Sequence, residues 1–408
     1  MEKILYISYD GMTDQLGQSQ VIPYMQGLAK LGQKITILSA EKKDAFFKNE
    51  KKISEILASS EIEWEPFIYT KKPPVLSTIY DIFILKKKAK QLHKKNKFSI
   101  VHCRSYISAF AGLFMKKKYG IKFIFDMRGF YADERVDGKI WNLKNPVFYL
   151  VYHFFKRKEI TFLKNADHII SLTNEGKKIL EQWGVEKKFY VPISVIPCCA
   201  DLNFFSKKNV SIVKQKEYQE QLKINDNNFI LSYLGSVGTW YMPDEMLDFF
   251  LVLLKHKPNA KFLFITKDNP DTIKKLVKNK NIPSTAIIIQ PAEREEIPSL
   301  LGLSNFSIFF IKPVFSKKAS SPTKMGEILG LGIPIICNSR VGDIEEIIKE
   351  SKSGILIDAF NENEYKKAIS EIENTTFTSD KLIGSAEKYY SLKEGVSRYN
   401  SIYSMLVE

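Results

Sequence analysis

Short apolar runs recur along this chain, each closed by a turn and followed by a stretch whose apolar positions repeat every third or fourth residue. The first half holds seven runs of strand type: KILYISY, KITILSA, WEPFIYT, SIVHC, KFIFDM, HIISLT and ISVIP. Amphipathic helical stretches lie between most of them. The longest spans Asn142 to Ala166 and sets Phe148, Tyr152, Phe155 and Phe162 at helical spacing, as core residues would be. Sequence of low pattern from Asp201 to Asn228 reads as a linker and the entry to a second unit. The rhythm then resumes with FILSYLGS, KFLFIT, AIIIQ, FSIFFIK, PIICN and GILID. Strands alternating with helices predict parallel sheets covered on both faces. The expected organisation is α/β: a doubly wound domain over 1–203, a second over 204–385, and a closing helix over 386–408 that packs back on the first. Open parallel sheets bind ligands beyond the carboxyl ends of their strands. Polar residues just after a strand are therefore the candidates for chemistry.

The 408 residues suit two domains, and 44% apolar content supplies two cores. No apolar run reaches the ~20 residues of a membrane span, and the first residues enter a strand without a signal-peptide pattern. The four cysteines, Cys103, Cys198, Cys199 and Cys337, lack metal-ligand spacing, so reduced buried thiols and a cytoplasmic protein are expected. The net charge of +15 is densest in KKKAKQLHKKNK, with KKK from Lys116 and KRK from Lys156. These blocks are either solvated helix faces or contacts with an anionic membrane surface or lipid carrier. No nucleic-acid motif accompanies them, and nucleic acid is not expected as a partner.

Six segments carry candidate chemistry. After the first strand, YDGMTDQLGQSQ places Asp10 at the strand end and has Gly17 open a helix with Gln18 in its first turn. That is a possible phosphate or acceptor site, or a plain structural turn. HCRSY offers His102 and Arg104. FDMRGFYADERVDG offers Asp126 and Arg128, as substrate contacts or as an internal pair that fastens the loop. In YLGSVGTWYMPDE, Gly235 and Ser236 let a phosphate approach the backbone, while Lys267 in FITKDNPD either neutralises a diphosphate or is an ordinary surface lysine. Last, KKASSPTKMGEILGLGIPIICNS reads as a helix with Ser321 as N-cap, Pro322 at the first position and Gly332 as its stop. Free N–H groups, the hydroxyls of Ser320, Ser321 and Thr323, and the Lys324 ammonium would cradle an anion. Glu327, three residues on, would accept the vicinal hydroxyls of a ribose.

The segments YDGMTDQLGQSQVIPYMQGLAKLG and SSPTKMGEILGLGIPII resemble the family-four glycosyltransferases of bacterial cell-surface glycan pathways. The likeness runs through SLTNEGKKIL, VIPCCADLNFF and YYSLKEGVSRYNSIY. It implies the GT-B fold, two Rossmann-like domains around a cleft, with the first taking the acceptor and the second the nucleotide-sugar. It implies retaining transfer, with no cofactor beyond the nucleotide-sugar substrate and a glycan or lipid-linked glycan as acceptor. The absence of a DxD motif agrees with a metal-independent site. By position, Glu327 matches the second glutamate of the paired-glutamate motif, Gly17 the glycine loop of the first domain, and Asp126 and Arg128 the substrate contacts after the fifth strand. Catalysis is expected from Asp126, Arg128 and Lys324. The donor would lie on Gly17, Gly235, Ser236, Lys267, Ser320, Ser321, Thr323 and Glu327, and the acceptor on Asp10, Gln18, His102 and Arg104. The chain departs from the family where Ala319 replaces the first glutamate, and a basic pair after the first strand of the second domain is missing. A different sugar, such as a CMP-linked acidic one, is one consequence. A nucleotide-sugar epimerase on the same fold and a non-catalytic nucleotide-binding scaffold are the alternatives.

Overall fold

A computed structural model describes residues 2–407. All thirteen apolar runs form strands, and the chain divides into two compact units, the first comprising residues up to Cys198 together with those from Leu392 onward, the second Cys199–Ser391.

The first unit is built on β1 (Lys3–Ser8), β2 (Lys34–Glu41), β3 (Glu63–Ile68), β4 (Ile100–Arg104), β5 (Lys122–Asp126), β6 (His168–Ser171) and β7 (Ile193–Val195). They pair in parallel in the order β3-β2-β1-β4-β5-β6-β7. Central strands such as β1 and β4 are buried on both faces because helices cover both sides. Pro66 lies in β3, the edge strand, where a missing N–H costs no ladder bond. The winding reverses between β1 and β4, where Ser8 pairs with Arg104 and Arg104 with Asp126. Asp10, Arg104 and Asp126 are thereby brought to one edge. The helix Leu392–Val407 belongs to this unit and packs on the helix Ile22–Lys30.

The long aromatic helix spans Pro146–Asn165, with Asn145 capping the Val147 N–H. Phe155 and Phe162 are core, as expected. Tyr152 instead turns its hydroxyl to Asp133 at 2.9 Å, a half-buried polar contact.

The second unit holds β8 (Ile230–Leu234), β9 (Lys261–Ile265), β10 (Ile287–Gln290), β11 (Phe306–Phe309), β12 (Ile335–Asn338) and β13 (Gly354–Ile357), in the order β10-β9-β8-β11-β12-β13. Its winding reverses between β8 and β11. The stretch read as a linker is folded into this unit. Ile212–Gln221 is a helix capped by Ser211, and its Tyr218 hydroxyl donates to Glu296 at 2.9 Å. Its sparse apolar positions suffice because only one turn meets the core.

Candidate functional site

In the second unit the site begins where β8 ends. Gly235 takes φ +112°, a conformation that favours glycine, and a Cβ there would stand 3.1 Å from Lys324 Nζ. The loop that follows is fastened by Asp268, whose Oδ2 accepts the Ser236 hydroxyl at 2.8 Å and the Val237 N–H at 2.7 Å. Tyr233 reaches the Ser236 carbonyl through its hydroxyl. Ser236 thus holds its own loop together. Lys267 is exposed and pairs with Glu293 at 2.6 Å.

The helix Thr323–Gly330 meets this loop. It starts one residue later than expected. Pro322 itself is the N-cap, with φ −76° and ψ 112°, and its side chain makes no capping hydrogen bond. Ser321 therefore precedes the cap, and in the first turn the Met325 N–H donates to the Pro322 carbonyl at 3.0 Å, which leaves Thr323 and Lys324 as the first-turn residues whose N–H groups lack an intrahelical acceptor. Gly332 adopts φ +72° just past the C-cap Leu331, which is the expected stop. Lys324, buried in the first turn, aims its ammonium into an aromatic box. It lies 3.6 Å from the Tyr241 ring centroid and 4.4 Å from that of Tyr233, and donates to the Tyr233 hydroxyl at 3.4 Å. Burial pushes the ammonium down to about 7, and Glu327 only partly opposes that shift. Glu327 is held above the ordinary carboxylate range by burial, with Arg294 and Lys324 pulling the other way. Among the described residues neither Lys324 nor Glu327 takes part in an ion pair within 4.0 Å, although they are one helical turn apart. A buried ammonium and a carboxylate, neither with an ion-pair partner within 4.0 Å among the described residues, and the N–H groups at the helix start together can bind a polyol phosphate. Beside them, Lys317 lies 3.6 Å over the Trp240 ring, and Ala319 is buried. Ser320, Ser321 and Thr323 are half-buried at the helix entrance.

In the first unit a second polar group gathers at the carboxyl ends of β1, β4 and β5. Arg104 Nε donates to Asp10 Oδ2 at 3.1 Å. His102 Nδ1 shares a hydrogen bond of 2.7 Å with the Tyr403 hydroxyl, and its Nε2 lies 3.5 Å from Asp126 Oδ2. That oxygen also accepts the Tyr399 hydroxyl at 3.0 Å. Burial drives the Asp126 carboxyl up, but Arg128, His102 and Arg104 together outweigh it and hold the group below its usual range. Burial lowers His102, with Arg128 and Arg104 adding to the shift and Asp126 opposing it. Asp126 is 1% exposed, so in this structure it joins strand, loop and C-terminal helix. Arg128 sits at φ +57° with Nη1 3.9 Å from Asp126 and Nη2 3.1 Å from Cys198 Sγ, while its Nε has no hydrogen-bond partner among the described residues.

Gly17 departs from expectation. The helix runs Gln15–Gln20 with Asp14 as N-cap, so Gly17 is buried inside it. A Cβ there would lie 2.1 Å from the Gly11 carbonyl oxygen, which makes this a close-packing glycine. Gln18 donates to the Thr13 carbonyl at 3.0 Å. The loop is organised by a residue the sequence did not single out. Buried Glu41 accepts the Met12 and Thr13 N–H groups at 2.8 and 3.0 Å and the Thr13 hydroxyl at 2.6 Å. Tyr233, Trp240, Tyr241, Tyr399 and Tyr403 were missed too. Only Tyr399 and Tyr403 carried a signal, their four-residue spacing on one helix face.

Comparison with known proteins fits this geometry. Residues 20–204 match the model described as Glycosyltransferase Family 4, and residues 214–389 the model described as Glycosyl transferases group 1. No curated protein sequence matches the chain. Among solved structures, a glycosyltransferase from Rickettsia africae shares 17% identity at TM-score 0.72, over 100% of this chain and 99% of the other. Sucrose-phosphate synthase from Thermosynechococcus elongatus shares 14% identity at TM-score 0.74, over 100% and 99%. Anabaena HepE, solved in complex with UDP and glucose, shares 12% at TM-score 0.70, over 99% and 100%. Two Rossmann-like units of this kind define the GT-B fold, and the protein is a glycosyltransferase. It belongs to the family-four glycosyltransferases.

Proposed function

We propose that the protein moves a sugar from a nucleotide-sugar to a glycan or lipid-linked glycan acceptor, at the cytoplasmic face of a membrane where cell-surface polysaccharide or glycoprotein glycans are assembled. The observation that carries this reading is the pair of unpaired charges on one helical turn, Lys324 and Glu327, beside the open backbone at Gly235. Lys324 and the first-turn N–H groups stabilise the diphosphate, and Glu327 accepts the ribose hydroxyls. HepE with UDP and glucose supports a nucleoside diphosphate-sugar donor.

The transfer is proposed to retain configuration and to need neither metal nor cofactor. The acceptor hydroxyl oxygen bonds to the anomeric carbon on the face the diphosphate leaves. The sugar–phosphate bond breaks, and the hydroxyl proton passes to the departing phosphate oxygen. Negative charge grows on that phosphate, where an ammonium that needs no reorganisation is most effective. Arg128 is the proposed substrate cation of the first unit, with Asp126 and His102 as positioning residues and Asp10, Arg104 and Gln18 on the acceptor side. Ser320, Ser321 and Thr323 add hydroxyls to the donor cradle.

A thermal-shift panel of UDP, GDP, ADP, CMP and dTDP with their sugars, in chelator, tests the donor. Saturation at 100 times the dissociation constant adds about 2.7 kcal/mol, a shift of a few degrees. For the nucleotide that responds, Glu327→Ala should weaken binding about 10- to 150-fold, the loss of hydrogen bonds to a charged group. Unchanged affinity in titration calorimetry would remove the ribose from this helix, and a flat panel with folded protein would favour the scaffold.

A further inference from the structure

Three neighbouring helices of the first unit, Leu76–Asn96, Ser105–Tyr119 and Pro146–Asn165, share an arrangement the donor site does not use. The middle one packs against both others, and Phe110 stacks on Phe154 at 6.0 Å. On the first helix Leu76, Ile79, Tyr80 and Phe83 are 56–64% exposed, and their spacing puts them in one outward stripe. The inward face of that helix is Asp81, Leu85 and Ala89. Val147, Leu150 and Phe154, 46–68% exposed, form the same stripe on Pro146–Asn165, opposite buried Phe155, Glu159 and Phe162. Along both helices the stripe turns basic at the same level. Lys86, Lys87 and Lys90 continue the first, and Arg157 and Lys158 the second. None of these five joins an ion pair among the described residues, and Lys86 is lowered by burial and by the nearby Lys158 charge. The only acids on the three helices, Asp81 and Glu159, are buried. Apolar side chains left in water beside unpaired lysines suit a bilayer interface, which takes the former below the headgroups and the latter among them. Cores of protein interfaces are depleted of lysine.

We propose that this face docks on an anionic lipid surface, with the two apolar stripes inserted at the headgroup boundary and Lys86, Lys87, Lys90 and Lys158 set against lipid phosphates. It goes beyond charge attraction, and it stands apart from the donor site. The test is sedimentation of the full chain with vesicles of phosphatidylcholine, alone or mixed with phosphatidylglycerol, at low and high salt. Binding is expected only to the mixed vesicles, weakened but not abolished by salt. The variant I79E/F83E/L150E, at exposed sites, should bind at least about tenfold more weakly, and K86E/K87E/K90E about a hundredfold. Both should keep the wild-type melting temperature and nucleotide binding, so failure here is separate from failure of the donor reading. Three results would overturn the proposal: equal binding to neutral vesicles or none at all, binding that vanishes in salt yet ignores the apolar variant, or a dimer that I79E/F83E/L150E dissociates without any vesicle binding. The second would mark a general polyanion patch, and the third a second copy of this chain.

Discussion

Lys324 sets the pH behaviour of the second unit. Its ammonium falls to about 7 when folded, through burial, against an ordinary value of 10.5. Between those values the unfolded chain holds the proton and the folded one does not, so stability rises with pH across that window. The slope approaches about 1.4 kcal/mol per pH unit. In denaturant melts taken from pH 7 to 10, Lys324→Met should flatten this rise, and an identical slope would show that the ammonium is not buried in solution. A diphosphate bound beside the same nitrogen, as proposed, would restore its proton. Nucleotide binding at pH 8 should therefore take up close to one proton, read from calorimetry in buffers of different ionisation enthalpy. Uptake that persists in Lys324→Met would assign it elsewhere. Gly17 gives the opposite kind of expectation. Gly17→Ala forces a methyl against the Gly11 carbonyl and should cost ~1–3 kcal/mol by overpacking, without changing nucleotide affinity.

Elements were more legible than contacts. Each strand could be read because a doubly covered sheet demands an apolar run, and a run survives small errors of register. The helix at Thr323 was readable from Pro, Gly and the acid in its interior, but its start moved by one residue because Pro322 took an extended ψ. What stayed hidden depends on distant partners. Nothing local marks Glu41 as the acceptor for two loop N–H groups 28 and 29 residues away. Nor does any spacing show that Tyr399 and Tyr403 reach Asp126 and His102, 273 and 301 residues earlier. These two contacts make the helix Leu392–Val407 a polar lid on the first sheet. Tyr399→Phe leaves Asp126 with one fewer donor, and should cost about 1–3 kcal/mol as a buried acceptor loses its partner. Thermal melts of Tyr399→Phe and Tyr403→Phe check this, and an unchanged melting temperature for both would mean that water replaces the hydroxyls.

At the scale of the molecule, the two units respond to different perturbations. Truncation after Ser391 removes a helix that follows the second unit in sequence but belongs to the first. Calorimetry should show the damage in the first unit, with the transition that nucleotide stabilises retained. Loss of nucleotide binding in that truncation would place the helix in the donor site as well.

The placement of that helix also bears on synthesis. The second unit interrupts the first, and about 190 residues separate Cys198 from Leu392. At ~5–20 residues per second the ribosome needs roughly 10–40 s to cross them. For that interval the first sheet has emerged while His102 and Asp126 still lack Tyr403 and Tyr399. The nascent chain thus waits with an open polar pocket, and the second unit can complete its own fold before the first is closed.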